Sequence, residues 1–102
     1  MPTGPVGLDS ERTLRSTVAA LMHHTGENQT DLARGLRLTQ GQVSRKQNGR
    51  ASWSLPDLDR LSAHYGIPVP DLMCGPSRAV EMLPAVRRAA TIGGSQSLFV
   101  VS

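Results

Sequence analysis

An all-α fold is predicted by three features of this sequence: apolar residues recur at helical spacing, each candidate helix carries its own start and stop signals, and strand-favouring aromatics are scarce. Hydrophobic residues make up 38% and aromatics 3% of the 102 residues, so the core must be built from Leu, Val, Ala and Met, a composition suited to packed helices. A chain of this length has room for one compact domain with short tails, and none for a second catalytic domain.

Residues 1–8 hold two Pro and two Gly and read as a flexible arm. The first helix is expected to open at Asp9 or Ser10 as N-cap and to present Leu14, Val18 and Leu21 on one stripe, until His23-His24-Thr25-Gly26 breaks it. Asn28 caps the second helix with Asp31 three residues on, and Leu32, Ala33 and Leu36 form its buried side. Thr39 and Gln42 make the next capping pair, which starts a third helix over about Gln40–Gln47 through Val43; Asn48-Gly49 ends it.

Ser54-Leu55-Pro56-Asp57 is a further capping box, with Pro tolerated in a first turn, where its missing N–H has no intrahelical partner. Trp53 and Leu58 are placed as a hydrophobic staple. This fourth helix is expected to bury Leu55, Leu58, Leu61 and Tyr65 and to stop at Gly66. A short fifth helix follows over Val69–Cys74, with Ile67, Leu72 and Met73 closing the core and Cys74 expected to be buried or half-buried.

The helical domain is therefore expected to span 9–75, and 76–102 to form a C-terminal extension. Within it, Ser77 is a possible cap for a helix through Ala79, Val80 and Leu83, which Pro84 must end, kink or restart. Thr91–Ser97 reads as a Gly/Ser-rich link, and Leu98-Phe99-Val100-Val101 has strand-like composition, able to pair with a second chain.

Charge is concentrated. The formal net charge is only +3, yet between Asn28 and Arg50 stand Arg34, Arg37, Arg45, Lys46 and Arg50 against the single acid Asp31, so that stretch carries +4 and the rest −1. One cysteine, Cys74, rules out an intramolecular disulfide and suits a reducing compartment. No stretch approaches the ~20 apolar residues of a membrane helix, and the first ten residues lack the basic start and apolar centre of an export signal. A cytoplasmic protein is expected. His23, His24, His64 and Cys74 fit no zinc spacing, no Gly-x-Ser-x-Gly elbow appears, and Gly93-Gly94 lacks the strand, Lys and helix of a phosphate loop. No metal, no cofactor and no enzymatic activity are expected.

Two short, separately capped helices with three residues between them place the second steeply across the first and leave one face of it exposed. A helix of that kind fits the major groove of B-DNA. On it, Gln40 can bond bidentately to adenine and Arg45 to guanine, Gly41 permits close approach, and Gln42 and Ser44 are second choices for a base edge.

The segment is identified as resembling the lambda-repressor/Cro-like helix-turn-helix family, also called the xenobiotic-response-element family. Gln29, Leu32, Ala33, Leu36, Thr39, Gln40, Val43, Ser44, Arg45 and Gly49 follow its pattern. With Leu55, Leu58, Leu61, Gly66, Ile67 and Leu72 similar to its fourth and fifth helices, the resemblance covers about Leu14 to Met73. It implies a five-helix lambda-repressor-like DNA-binding domain with a helical or extended tail. Phosphate contacts are implied for Asn28, Gln29, Thr39, Lys46, Asn48 and Arg50.

Three residues depart from the pattern. Arg37 stands where the family usually has Gly, so a non-Gly residue is expected at positive φ, at a cost of about 1 kcal/mol. Lys46 occupies a usually apolar position, and is expected to lay its methylenes on the core with the ammonium turned to solvent or phosphate. Gln47 stands where Glu is frequent.

The resemblance further implies a small repressor, of the phage-immunity or Cro-like kind, binding a palindromic operator as a homodimer. Its dimer contacts are expected from the Ala79-Val80-Leu83 face or from Leu98–Val101. The rivals are an antitoxin whose tail folds against a toxin, and a protein-interaction module that uses the scaffold without DNA.

Overall fold

The computed structural model describes residues 7–88. The arm before Gly7, the Thr91–Ser97 link and the Leu98–Val101 segment lie outside the described residues. Six α-helices and a short 3₁₀ turn follow one another: α1 (Gly7–Thr25), α2 (Gln29–Leu36), α3 (Gln40–Gln47), α4 (Leu55–Tyr65), α5 (Val69–Met73), α6 (Pro76–Met82) and the turn at Ala85–Arg87. The expected all-α class holds, with five helices to Met73 and the sixth, α6, in the stretch read as a helical or extended tail. There is no strand among the described residues.

Local chemistry sets most of these boundaries. The three predicted capping boxes all form: the side chains of Asn28, Thr39 and Ser54 accept from the backbone N–H three residues on, and those of Asp31, Gln42 and Asp57 accept in return from the N–H of the cap. Each box satisfies donors that a helix start otherwise leaves free. Helix α2 ends in a Schellman closure, with Leu38 N–H on the Ala33 carbonyl (2.9 Å) and Arg37 N–H on the Arg34 carbonyl (3.3 Å). The residue between must turn left-handed, and Arg37 does so at φ 60°, ψ 39°. Asn48 follows α3 and Gly49, at φ 85°, completes its stop.

Around α1 the remaining helices close one core. Leu14, Val18 and Leu21 of α1 are buried with Leu32, Ala33 and Leu36 of α2, Val43 of α3, Trp53, Leu58, Leu61, Tyr65, Ile67 and Leu72. Helix α1 packs on α3, α5 and α6, and α2 packs on both α3 and α4. Thr17 is tolerated in this core because its hydroxyl donates to the Thr13 carbonyl at 2.9 Å.

Five expectations are corrected. Helix α1 starts at Gly7, inside the stretch read as an arm, and Asp9 lies in its first turn. Leu55 is 78% exposed, because it opens α4 about 90° around the helix from the centre of the Leu58, Leu61 and Tyr65 face. Cys74 is exposed, following the last residue of α5. Beyond Gly75, α6 packs against α1 and α5, and Ala79 and Leu83 belong to the central core. Two of the three residues offered as a dimer face are thus already covered within one chain. Pro76, not Ser77, opens α6, since Pro is as well suited to a first helical position as to a break; Pro84 does end it.

Candidate nucleic-acid interface

Helices α2 and α3 with the Arg37-Leu38-Thr39 turn between them form the helix-turn-helix. Helix α3 anchors itself through Val43, which is fully buried, while Gln40 and Arg45 stand exposed and Gly41, Gln42 and Ser44 are half-buried. Across the motif, Gln40 Nε2 donates to Gln29 Oε1 at 2.8 Å. This bond joins the first residues of the two helices and holds the Gln40 carboxamide with its oxygen and one N–H free of partners among the described residues. Above Gly41, a Cβ would come 3.4 Å from Arg45 Nη1, so the missing side chain leaves room for the guanidinium to lie along the start of α3.

Thr39 and Gln42 divide their groups between fold and surface. Thr39 Oγ1 accepts from Gln42 N–H at 3.1 Å and Gln42 Oε1 accepts from Thr39 N–H at 2.8 Å, which leaves the Thr39 hydroxyl proton and the Gln42 amide N–H groups available. Asn28 likewise spends its Oδ1 on Asp31 N–H (2.8 Å) and stands exposed at the start of α2. After α3, Asn48 Oδ1 accepts from Arg50 N–H at 3.1 Å, and the Arg50 side chain is exposed.

Lys46 does not join them. Its Nζ lies 2.8 Å from Asp57 Oδ2, donates to the Ser52 carbonyl at 3.1 Å and sits 5.7 Å from the Trp53 ring centroid. With the side chains of Lys46 and Asp57 only 16% and 3% exposed, the expected phosphate contact is overturned: a lysine in an apolar position has turned inward to the nearest buried carboxylate. Burial alone would raise the Asp57 pKa, but the hydrogen bonds from Lys46 and Ser54 outweigh it and hold the carboxyl below its ordinary range.

Gln47 is likewise structural. Its Oε1 accepts from Trp53 Nε1–H at 3.0 Å and its Nε2 donates to the Arg15 carbonyl at 3.1 Å, tying α3 to α1 and to the following loop.

One cation on this side escaped sequence reading. The Arg15 guanidinium of α1 approaches Gly49, its Cζ 3.6 Å from where a Cβ would stand, and it has no ion-pair partner among the described residues. Nothing in the sequence links residues 15 and 49; only the packing of α1 on α3 brings them together.

An all-helical domain with a braced, outward-facing second helix in its helix-turn-helix defines a class of DNA-binding proteins. Residues 18–74 match the family model described as the Cro/C1-type HTH DNA-binding domain. That match spans more than half of the chain, which belongs to this family and is accordingly a DNA-binding transcription regulator. No curated protein and no solved structure matches it. Among the described residues, no helix is long and apolar enough to cross a membrane.

Proposed function

We propose that the protein is a sequence-specific repressor that lays the outer face of α3 in the major groove and blocks polymerase by occupying its operator. Gln40 and Arg45 read base edges, Gly41 allows the backbone to approach, and the free amide of Gln42 and the hydroxyl of Ser44 are secondary base contacts. Asn28, Gln29, Thr39, Asn48 and Arg50 meet phosphates, with Arg15 added beside Gly49. The observation that carries this reading is the Gln29–Gln40 bond, which pre-sets a base-reading amide from both helices of the motif.

One such domain offers a small interface, so we assign a homodimer on a palindromic operator, its half-sites about one helical turn, ~34 Å, apart. Leu98–Val101 remains the candidate dimer segment. The cytoplasm of a bacterium or a phage-infected cell is where such a repressor acts.

Selection of bound duplexes from a random pool tests this directly, with a palindromic consensus as the expected result. On that consensus, Arg45→Ala should cost ~1–3 kcal/mol and relax choice at one base pair, whereas Arg50→Ala should weaken all sequences alike. Uniform losses from both would remove Arg45 from base reading.

A further inference from the structure

We propose that Arg87, in the 3₁₀ turn beyond the matched family domain, is a positioning residue of the DNA-binding edge that acts through Glu27. This rests on the DNA-binding reading above.

Glu27 stands one residue before the cap of α2, and its side chain is only 12% exposed. The carboxylate is gripped from several directions. Tyr65 OH donates to Oε1 at 2.8 Å and Thr25 Oγ1 to the same oxygen at 3.1 Å, while His64 Nε2 lies 2.5 Å and Arg87 Nη2 3.6 Å from Oε2. Arg87 is itself fixed: its Nε–H donates to the His64 carbonyl at 3.1 Å, and its guanidinium lies 5.8 Å from the Tyr65 ring centroid. Chain segments far apart in sequence thus meet at the residue that leads into α2.

The position of this carboxylate gives the cluster its consequence. The start of α2 offers free N–H groups and the positive end of a helix dipole, which favour a phosphate beside Asn28 and Gln29. An uncompensated carboxylate one residue away opposes that phosphate. Among the described residues Arg87 is the only permanently charged cation within 4 Å of Glu27, since His64 carries charge only when protonated. Arg87 therefore offsets the Glu27 charge beside the start of α2, where the only other carboxylate of the first turn, Asp31, lies 3.6 Å from Arg34, and with His64 and Tyr65 it holds the backbone that leads into the cap.

The test is a double-mutant cycle on affinity for a 20-base-pair duplex, measured over a series of salt concentrations with each variant's melting curve recorded alongside. Arg88→Gln is the control: it removes the same charge from the next residue, which is exposed and whose guanidinium, among the described residues, bonds only the Val80 carbonyl. Arg87→Gln should weaken binding about fivefold to tenfold beyond this control, and the excess should vanish when Glu27→Gln is also present. Arg87→Lys should recover most of the affinity. Arg87→Met, which retains an aliphatic stem against Tyr65, repeats the test if the Gln variant melts below the assay temperature. Equal effects of Arg87→Gln and Arg88→Gln, or an excess that persists with Glu27→Gln, would overturn the inference while leaving DNA binding intact. Absence of salt-dependent binding by the unaltered protein would overturn the DNA reading and this inference with it.

Discussion

Arg45 and Lys46 are neighbours on α3, both basic, and the fold treats them in opposite ways. Arg45 lies on the outer face, exposed above Gly41 and without an ion-pair partner among the described residues. Lys46 faces inward, and its ammonium is shared by Asp57, Ser52 and the Trp53 ring. The contrast extends to the glutamines: Gln40 retains free groups after bonding Gln29, whereas Gln47 places its oxygen on Trp53 and its nitrogen on Arg15. Positive charge on a helix of this kind is thus a poor guide to DNA contact by itself. Whether the group already has its partners within the fold decides what it can offer another molecule.

The sharpest way to break this comparison is to remove the inward partner. Asp57→Ala should cost about 2–4 kcal/mol in urea unfolding, since it strands Lys46 and removes half of the α4 capping box. A smaller loss would mean that Lys46 finds solvent readily. Lys46→Met should lower stability yet leave the slope of log affinity against log salt unchanged, while Arg50→Ala should reduce that slope by about 1. A reduced slope for the Met variant would return Lys46 to the phosphate set.

Acid provides a gentler probe. Burial alone pushes both the Asp57 and Glu27 carboxyls up, but hydrogen bonds from Lys46 and Ser54 in one case, and from His64, Tyr65 and Thr25 in the other, hold them below the ordinary range. A depressed folded pKa contributes stability that is complete above the unfolded value, about pH 4, and is lost as pH falls through the lower folded value. Melting temperature should therefore decline below about pH 4, and less steeply in Asp57→Asn or Glu27→Gln. Equal slopes in all three proteins would show that other carboxylates govern the acid limb.

The smallest effect is expected at the turn of the motif, where Arg37→Gly relieves a left-handed arginine and adds freedom to the unfolded chain. These oppose one another, so the gain should lie between zero and about 1 kcal/mol. A loss would indicate that the Arg37 side chain contributes contacts of its own.

What the sequence made legible was local. The capping boxes at Asn28, Thr39 and Ser54 were readable because each is a reciprocal bond between residues three apart, and the left-handed Arg37 followed from the resemblance, which puts it where the family usually has Gly. The exposed Gln40 and Arg45 were readable from the spacing of Val43 and the short turn. Long-range polar contacts were not. Lys46 in an apolar position was read as turning its ammonium to solvent or phosphate, and the pair it makes with Asp57, like those of Glu27 with His64 and Arg15 with Gly49, depends on packing that no local spacing encodes. Helix α6 was expected, but its place in the core was not, because Gly75-Pro76 reads equally as an ending and as a beginning, and only the buried Ala79 and Leu83 tie it to the other helices.

A last consequence comes from the contact of α2 with α4. Gly35 lies inside a helix where alanine would favour the local conformation, yet a methyl there would run into the His64 imidazole that reaches Glu27. Positions 35 and 64 are therefore not free to vary independently. A larger residue on α2 becomes admissible only alongside a smaller one on α4, and that exchange would also release the acid at the head of the motif.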